Sequence, residues 1–129
     1  MPHKGLSREE VSEFEAVEAQ LKGFYEEIHK LATKRANDAL NKFKLDVANQ
    51  LLRRANKLLA ELRPLEGFGE FSEDSLPTNS DVLVVLSQYL GCMEKLRADN
   101  IVMEFEDWYW VIGGKQSDVR TGPPRKLNE

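Results

Sequence analysis

Apolar residues recur at steps of three and four along the first quarter of the chain. Val11, Phe14, Val17, Leu21, Phe24, Tyr25, Ile28, Leu31 and Ala32 share one stripe, while Glu9, Glu15, Lys22, Glu26 and Lys30 fall off it. That spacing is the signature of an α-helix with one buried face. Ser7-Arg8-Glu9-Glu10 has the form of a capping box, in which the serine hydroxyl and the glutamate carboxylate satisfy each other's backbone amides. A first helix is therefore predicted from Arg8 to Lys34.

Asn37-Asp38 interrupts the stripe and predicts a turn, because both side chains compete for nearby backbone amides. A second helix follows to Leu62, with Leu40, Phe43, Val47, Leu51, Ala55, Leu58 and Leu62 on one face. Arg63-Pro64 stops it, since proline disfavours helical geometry in the preceding residue. Two helices of roughly 40 and 36 Å joined by a short connection predict an antiparallel hairpin. The long connector that follows carries Phe68 and Phe71, which are expected to pin it across the bundle. Thr78-Asn79-Ser80-Asp81 then opens a third helix with a broad apolar face of Val82, Leu83, Val85, Leu86, Tyr89, Leu90, Met93 and Leu96.

Continuing that phase past Asp99 would bury Glu104 and Asp107, so a break is predicted near Asp99-Asn100. Ile101–Ile112 fits a new helical phase ended by Gly113-Gly114, although its β-branched and aromatic residues also favour a strand. A lone strand needs a partner, and no second strong strand pattern stands out. The expected fold class is therefore all-α: a small antiparallel bundle of three long helices plus a short fourth element over Ile101–Ile112, helix preferred over strand. Residues 1–114 form the expected single domain, and 115–129 a basic tail in which Gly122-Pro123-Pro124 forbids helix.

Composition narrows the function classes. The 129 residues are 41% hydrophobic and 31% charged, a globular balance. A net charge of −4 argues against a surface that gathers phosphates. The single cysteine, Cys92, and an opening of Met1-Pro2-His3-Lys4 point to a reducing cytoplasm. Val82 to Leu86 is the longest strongly apolar run, far short of the roughly 20 residues that span a bilayer.

Signals for chemistry are few. Glu26 and His29 have the spacing of one half of a di-iron site, but the second half is missing, so no metal and no cofactor are expected. Cys92 lies on an apolar helix face without a neighbouring histidine, which suits packing better than nucleophilic catalysis. No catalytic residue is assigned. Arg97, Asn100, Glu104 and Asp107 form the most pointed polar group: either a buried ion pair of Arg97 with Glu104 or Asp107, or a ligand cleft beneath the tryptophans.

Two further features suggest contacts with other molecules. Asn41, Asn49 and Asn56 recur along one edge of the second helix with Arg53 nearby, a pattern that suits a helix interface. Trp108, Tyr109 and Trp110 cannot all be buried on one helical face, and Lys115, Arg120, Arg125 and Lys126 follow as a local basic excess. The reading that results is a non-enzymatic helical protein-interaction module, self-associating as a homodimer through Asn49, Arg53 and Asn56 or through the aromatic cluster. The alternatives are a small-molecule-binding or catalytic bundle using the Arg97 cleft, and a nucleic-acid accessory protein using the basic tail.

Overall fold

The computed structural model describes residues 5–126. Its order is α1 (Arg8–Arg35), α2 (Lys42–Leu59), a 3-10 turn (Ala60–Leu62), α3 (Asn79–Ala98), β1 (Ile101–Glu104), β2 (Asp107–Ile112) and β3 (Lys115–Thr121). The capping box forms as its residues dictate: the Ser7 hydroxyl accepts from the Glu10 amide at 3.1 Å and Glu10 accepts from the Ser7 amide at 2.9 Å. Val11, Phe14, Val17, Leu21 and Ile28 then bury one face of α1, which packs chiefly on α3 and more lightly on α2. Among the described residues no helix is long and apolar enough to cross a membrane.

The second helix begins later than the Asn37-Asp38 interruption suggests, because Asn41 is its cap and accepts from the Lys44 amide at 2.8 Å. Ala36 to Leu40 instead forms a connector laced to the start of α3: Leu40 donates to the Pro77 carbonyl, Asn79 to that of Asp38, and Ser80 to that of Ala36. The helix also ends at Leu59, short of the expected Leu62. Ala60 takes φ 51° and ψ −116°, which breaks the α-helical path while its amide still reaches the Asn56 carbonyl.

The all-α expectation is wrong. Three helices are joined by a three-stranded antiparallel sheet in the order β1-β2-β3, so the chain is mixed α and β and is not a pure helical bundle. Ile101–Ile112 does not continue as a helix but folds back on itself: Ile101 lies opposite Trp110, Met103 opposite Trp108 and Glu104 opposite Asp107. The partner that a strand requires is inside the same segment. A second two-residue turn at Gly113-Gly114, with φ of 60° and 80°, returns the chain as β3. Both residues of such a turn need left-handed backbone, which glycine adopts without strain.

Period-two alternation now explains the aromatic cluster. Trp108, Trp110 and Ile112 share the face toward the helices, and Trp110 is fully buried with its ring edge-on to Phe14, centroids 5.1 Å apart. Tyr109 and Val111 occupy the other face by the same alternation. Leu6 extends the sheet beside Ile112, its carbonyl accepting from the Gly113 amide at 2.9 Å. Lys115 to Thr121, expected in a tail, is thus an integral strand.

Candidate functional site

Arg97 sits one turn after Glu94 on α3, and the two side chains meet in a bidentate pair with both contacts at 2.9 Å. The guanidinium is 1% exposed. Its remaining N–H groups donate to the Thr121 hydroxyl at 2.8 Å, the Gly122 carbonyl at 2.9 Å and the Pro123 carbonyl at 2.6 Å. All five donors of the fork are occupied by the chain itself. Glu94 in turn accepts from the Arg125 amide at 2.9 Å, and the Arg125 side chain reaches Glu18 at 3.3 Å.

Burial alone would push the Glu94 carboxyl up. The hydrogen bonds from Arg97 and the Arg125 amide, with the charges of both arginines, outweigh it and hold the carboxyl below its ordinary range. The arrangement clamps the segment after β3 onto α3 and α1. No ligand is needed to satisfy it.

The four residues grouped in the sequence are not brought together. Arg97 binds Glu94 rather than Glu104 or Asp107. Asn100 is buried nearby but spends its side chain on the Leu96 carbonyl at 2.8 Å and its carbonyl on the Val111 amide at 2.7 Å. Glu104 and Asp107 flank the β1–β2 turn, where Asp107 pairs with Arg120 across the sheet.

The α2 edge is also engaged within the chain. Asn49 donates to the Phe71 carbonyl at 3.0 Å and accepts from the Phe71 amide at 2.9 Å. One helical heptad on, Asn56 donates to the Gly69 carbonyl at 2.8 Å and accepts from the Tyr89 hydroxyl at 2.6 Å. Arg53 lies between them and binds Glu70 at 3.1 Å. This row holds the connector in place, with Phe68 and Phe71 edge-on at 5.1 Å. Burial pushes the Tyr89 hydroxyl up despite its bond to Asn56, so it stays protonated as a donor.

Of the basic residues after Gly114, Arg120 and Arg125 are each paired with carboxylates, while Lys115 and Lys126 are exposed. Burial raises the Cys92 thiol above its ordinary value, an effect that Lys95 only partly offsets, so little thiolate forms at neutral pH. His29 leans on Tyr25 with ring centroids 6.0 Å apart. Among the described residues, no group of three or more His, Cys, Asp or Glu is placed to hold a metal ion.

The residues that stand out are ones the helical reading passed over. Phe105 and Glu106 form the β1–β2 turn with φ of 50° and 72°. Asn-Gly is the usual occupant of such a turn, and a bulky residue there is an outlier. Phe105 is 90% exposed and is bounded by Glu104 and Glu106, with Met103, 58% exposed, just beyond Glu104 on β1. At the opposite end of the strands lies a cleft of about 650 Å³, lined by Leu62, Lys95, Leu96, Asp99 and Asn100 among others. It adjoins a second one of about 460 Å³ that shares Gly5, Leu62 and Leu96 and is bordered by the left-handed Ala60. Comparison with protein-family models, with curated proteins and with solved structures finds no match for this chain, so a functional reading rests on these residues themselves.

Proposed function

We propose that this chain is a non-enzymatic interaction module that self-associates through its C-terminal hairpin. The observation that supports this reading is Phe105, an aromatic ring held almost wholly in water on a backbone that disfavours it. Holding a non-glycine residue there costs about 1–3 kcal/mol, and leaving a phenylalanine exposed forgoes a further ~2 kcal/mol of burial. Nothing within the described chain recovers either loss, whereas burial of the ring in a second molecule would. The pairing of Asn49, Arg53 and Asn56 with the connector moves the proposed contact away from α2 and toward the aromatic region. A reducing cytoplasm suits the single, protonated thiol of Cys92.

Sedimentation velocity of the full chain over a dilution series up to about 100 µM tests the reading by mass action. A dimer whose population falls on dilution, and falls at least tenfold further in Phe105→Ala, is the expected result. A monomer at every concentration would overturn it.

A further inference from the structure

The hairpin also has an unfinished edge. A two-residue turn makes Glu104 and Asp107 a hydrogen-bonded pair, and antiparallel ladders alternate bonded and non-bonded pairs. Val102 is then bonded to Tyr109, and the next bonded step is seen directly as the Val111 amide on the Asn100 carbonyl at 2.7 Å. Ile101 and Met103 must therefore aim their amides and carbonyls away from β2. No backbone partner for either occurs on that side among the described residues.

The two edges of the sheet differ. β3 carries Lys115, Asp118 and Arg120 and an irregularity opposite Tyr109 and Val111, two devices that discourage another strand. β1 offers Ile101, Val102 and Met103 in a row, without lysine, proline or bulge.

Resting on the self-association reading, we infer that two copies join antiparallel through β1, with the two-fold axis beside Val102, into one continuous sheet of three strands from each copy. The register follows from elimination. Only Ile101 and Met103 have outward groups, so the axis can pass Ile101, Val102 or Met103. Centring on Ile101 would pair Met103 with the partner's Asp99, which caps the end of α3. Centring on Met103 would pair Ile101 with the partner's Phe105, which is in the turn. Centring on Val102 pairs Ile101 with the partner's Met103 twice over and uses every free group.

The same register sets Glu104 opposite the partner's Asn100 rather than opposite a second carboxylate. It brings Phe105 alongside the partner's Asp99, at the rim of the cleft lined by Leu62, Lys95 and Leu96. Leu62 is itself 52% exposed, and the Lys95 ammonium suits the acidic flanks of the tip, Glu104 and Glu106, and offsets the like charge of Asp99 at the same rim. Edge, knob and cleft are then matched reciprocally, as an isologous contact requires.

Crosslinking in a Cys92→Ala background tests the register. In a non-hydrogen-bonded antiparallel pair the facing Cβ atoms come within disulfide reach. With oxidised glutathione, Val102→Cys should convert most of the dimer to a covalent dimer. Met103→Cys should not, because it faces the partner's Ile101 in a hydrogen-bonded pair, whose Cβ atoms stand further apart. Met103→Pro removes only an outward amide and should weaken dimerisation at least tenfold with the circular-dichroism spectrum retained. A wild-type dimer that resists crosslinking at Val102 and tolerates Met103→Pro would sink the edge model while leaving self-association standing. A wild-type monomer would overturn both.

Discussion

Glu94 and Arg97 lie one turn apart on α3, and the buried pair they form grips the chain 24 to 31 residues further on, from Thr121 to Arg125. A local helical pair is thereby turned into a tertiary clamp that closes the sheet against the helices.

Removing one member should be severe. Glu94→Gln leaves the Arg97 charge buried with neutral acceptors alone and is expected to destabilise by about 3–5 kcal/mol. Glu94→Leu combined with Arg97→Met removes the unpaired charge but strips Thr121, Gly122, Pro123 and Arg125 of their partners, so it should recover only part of that loss, a coupling that urea denaturation of the single and double variants measures.

The clamp also predicts a pH dependence. The folded Glu94 carboxyl titrates below its ordinary value of 4.5, so its stabilisation is complete above that value and is lost as pH falls through the lowered one. Denaturation midpoints measured downward from neutral pH should fall across this window in the wild type, and less steeply in Glu94→Gln. Equal slopes in the two proteins would remove Glu94 as a source of the acid sensitivity.

Ala60 is a site of relievable strain. Its φ of 51° and ψ of −116° lie where essentially only glycine is at ease. Ala60→Gly should raise stability by about 1 kcal/mol, the net of strain relief and the greater entropy of glycine in the unfolded chain. An increase in the thermal midpoint is the expected reading, and a decrease would mean the surroundings impose no strain.

The N-terminal staple is as tight as the clamp. A Cβ on Gly5 would stand 2.6 Å from the Gly114 amide nitrogen, a backbone atom that cannot yield without moving the β2–β3 turn. Gly5→Ala should therefore destabilise by about 1–3 kcal/mol, with faster hydrogen exchange at Gly113, whose amide is bonded to Leu6.

Legibility in the sequence follows how local each signal is. The caps at Ser7 and Thr78 and the stripes behind them act over a few residues, and the helices they open are where the pattern puts them. The asparagine row is visible as an anomaly, but its partners, Gly69 and Phe71, offer only backbone groups that no residue type betrays. The Arg97 partner escapes notice because a carboxylate three residues earlier, on the same helix, reads as an ordinary surface pair until the returning chain covers it.

The sheet is hidden for two reasons. Gly113-Gly114 reads equally as a helix stop and as a two-residue hairpin turn, and the polar β3 carries no apolar alternation to recommend it. Phe105-Glu106 contains neither glycine nor asparagine, so the first hairpin has no turn signal at all. That lack is itself the mark of the candidate site, since local preference is overridden there.

Folding can be set against association in a single double variant. Replacing Phe105-Glu106 by Asn-Gly supplies the residues that a left-handed two-residue turn favours and deletes the exposed ring. Thermal denaturation and sedimentation of this protein should show a higher midpoint together with loss of the dimer. A variant that is more stable and still associates as the wild type does would contradict the claim that the strained tip exists to meet a second copy.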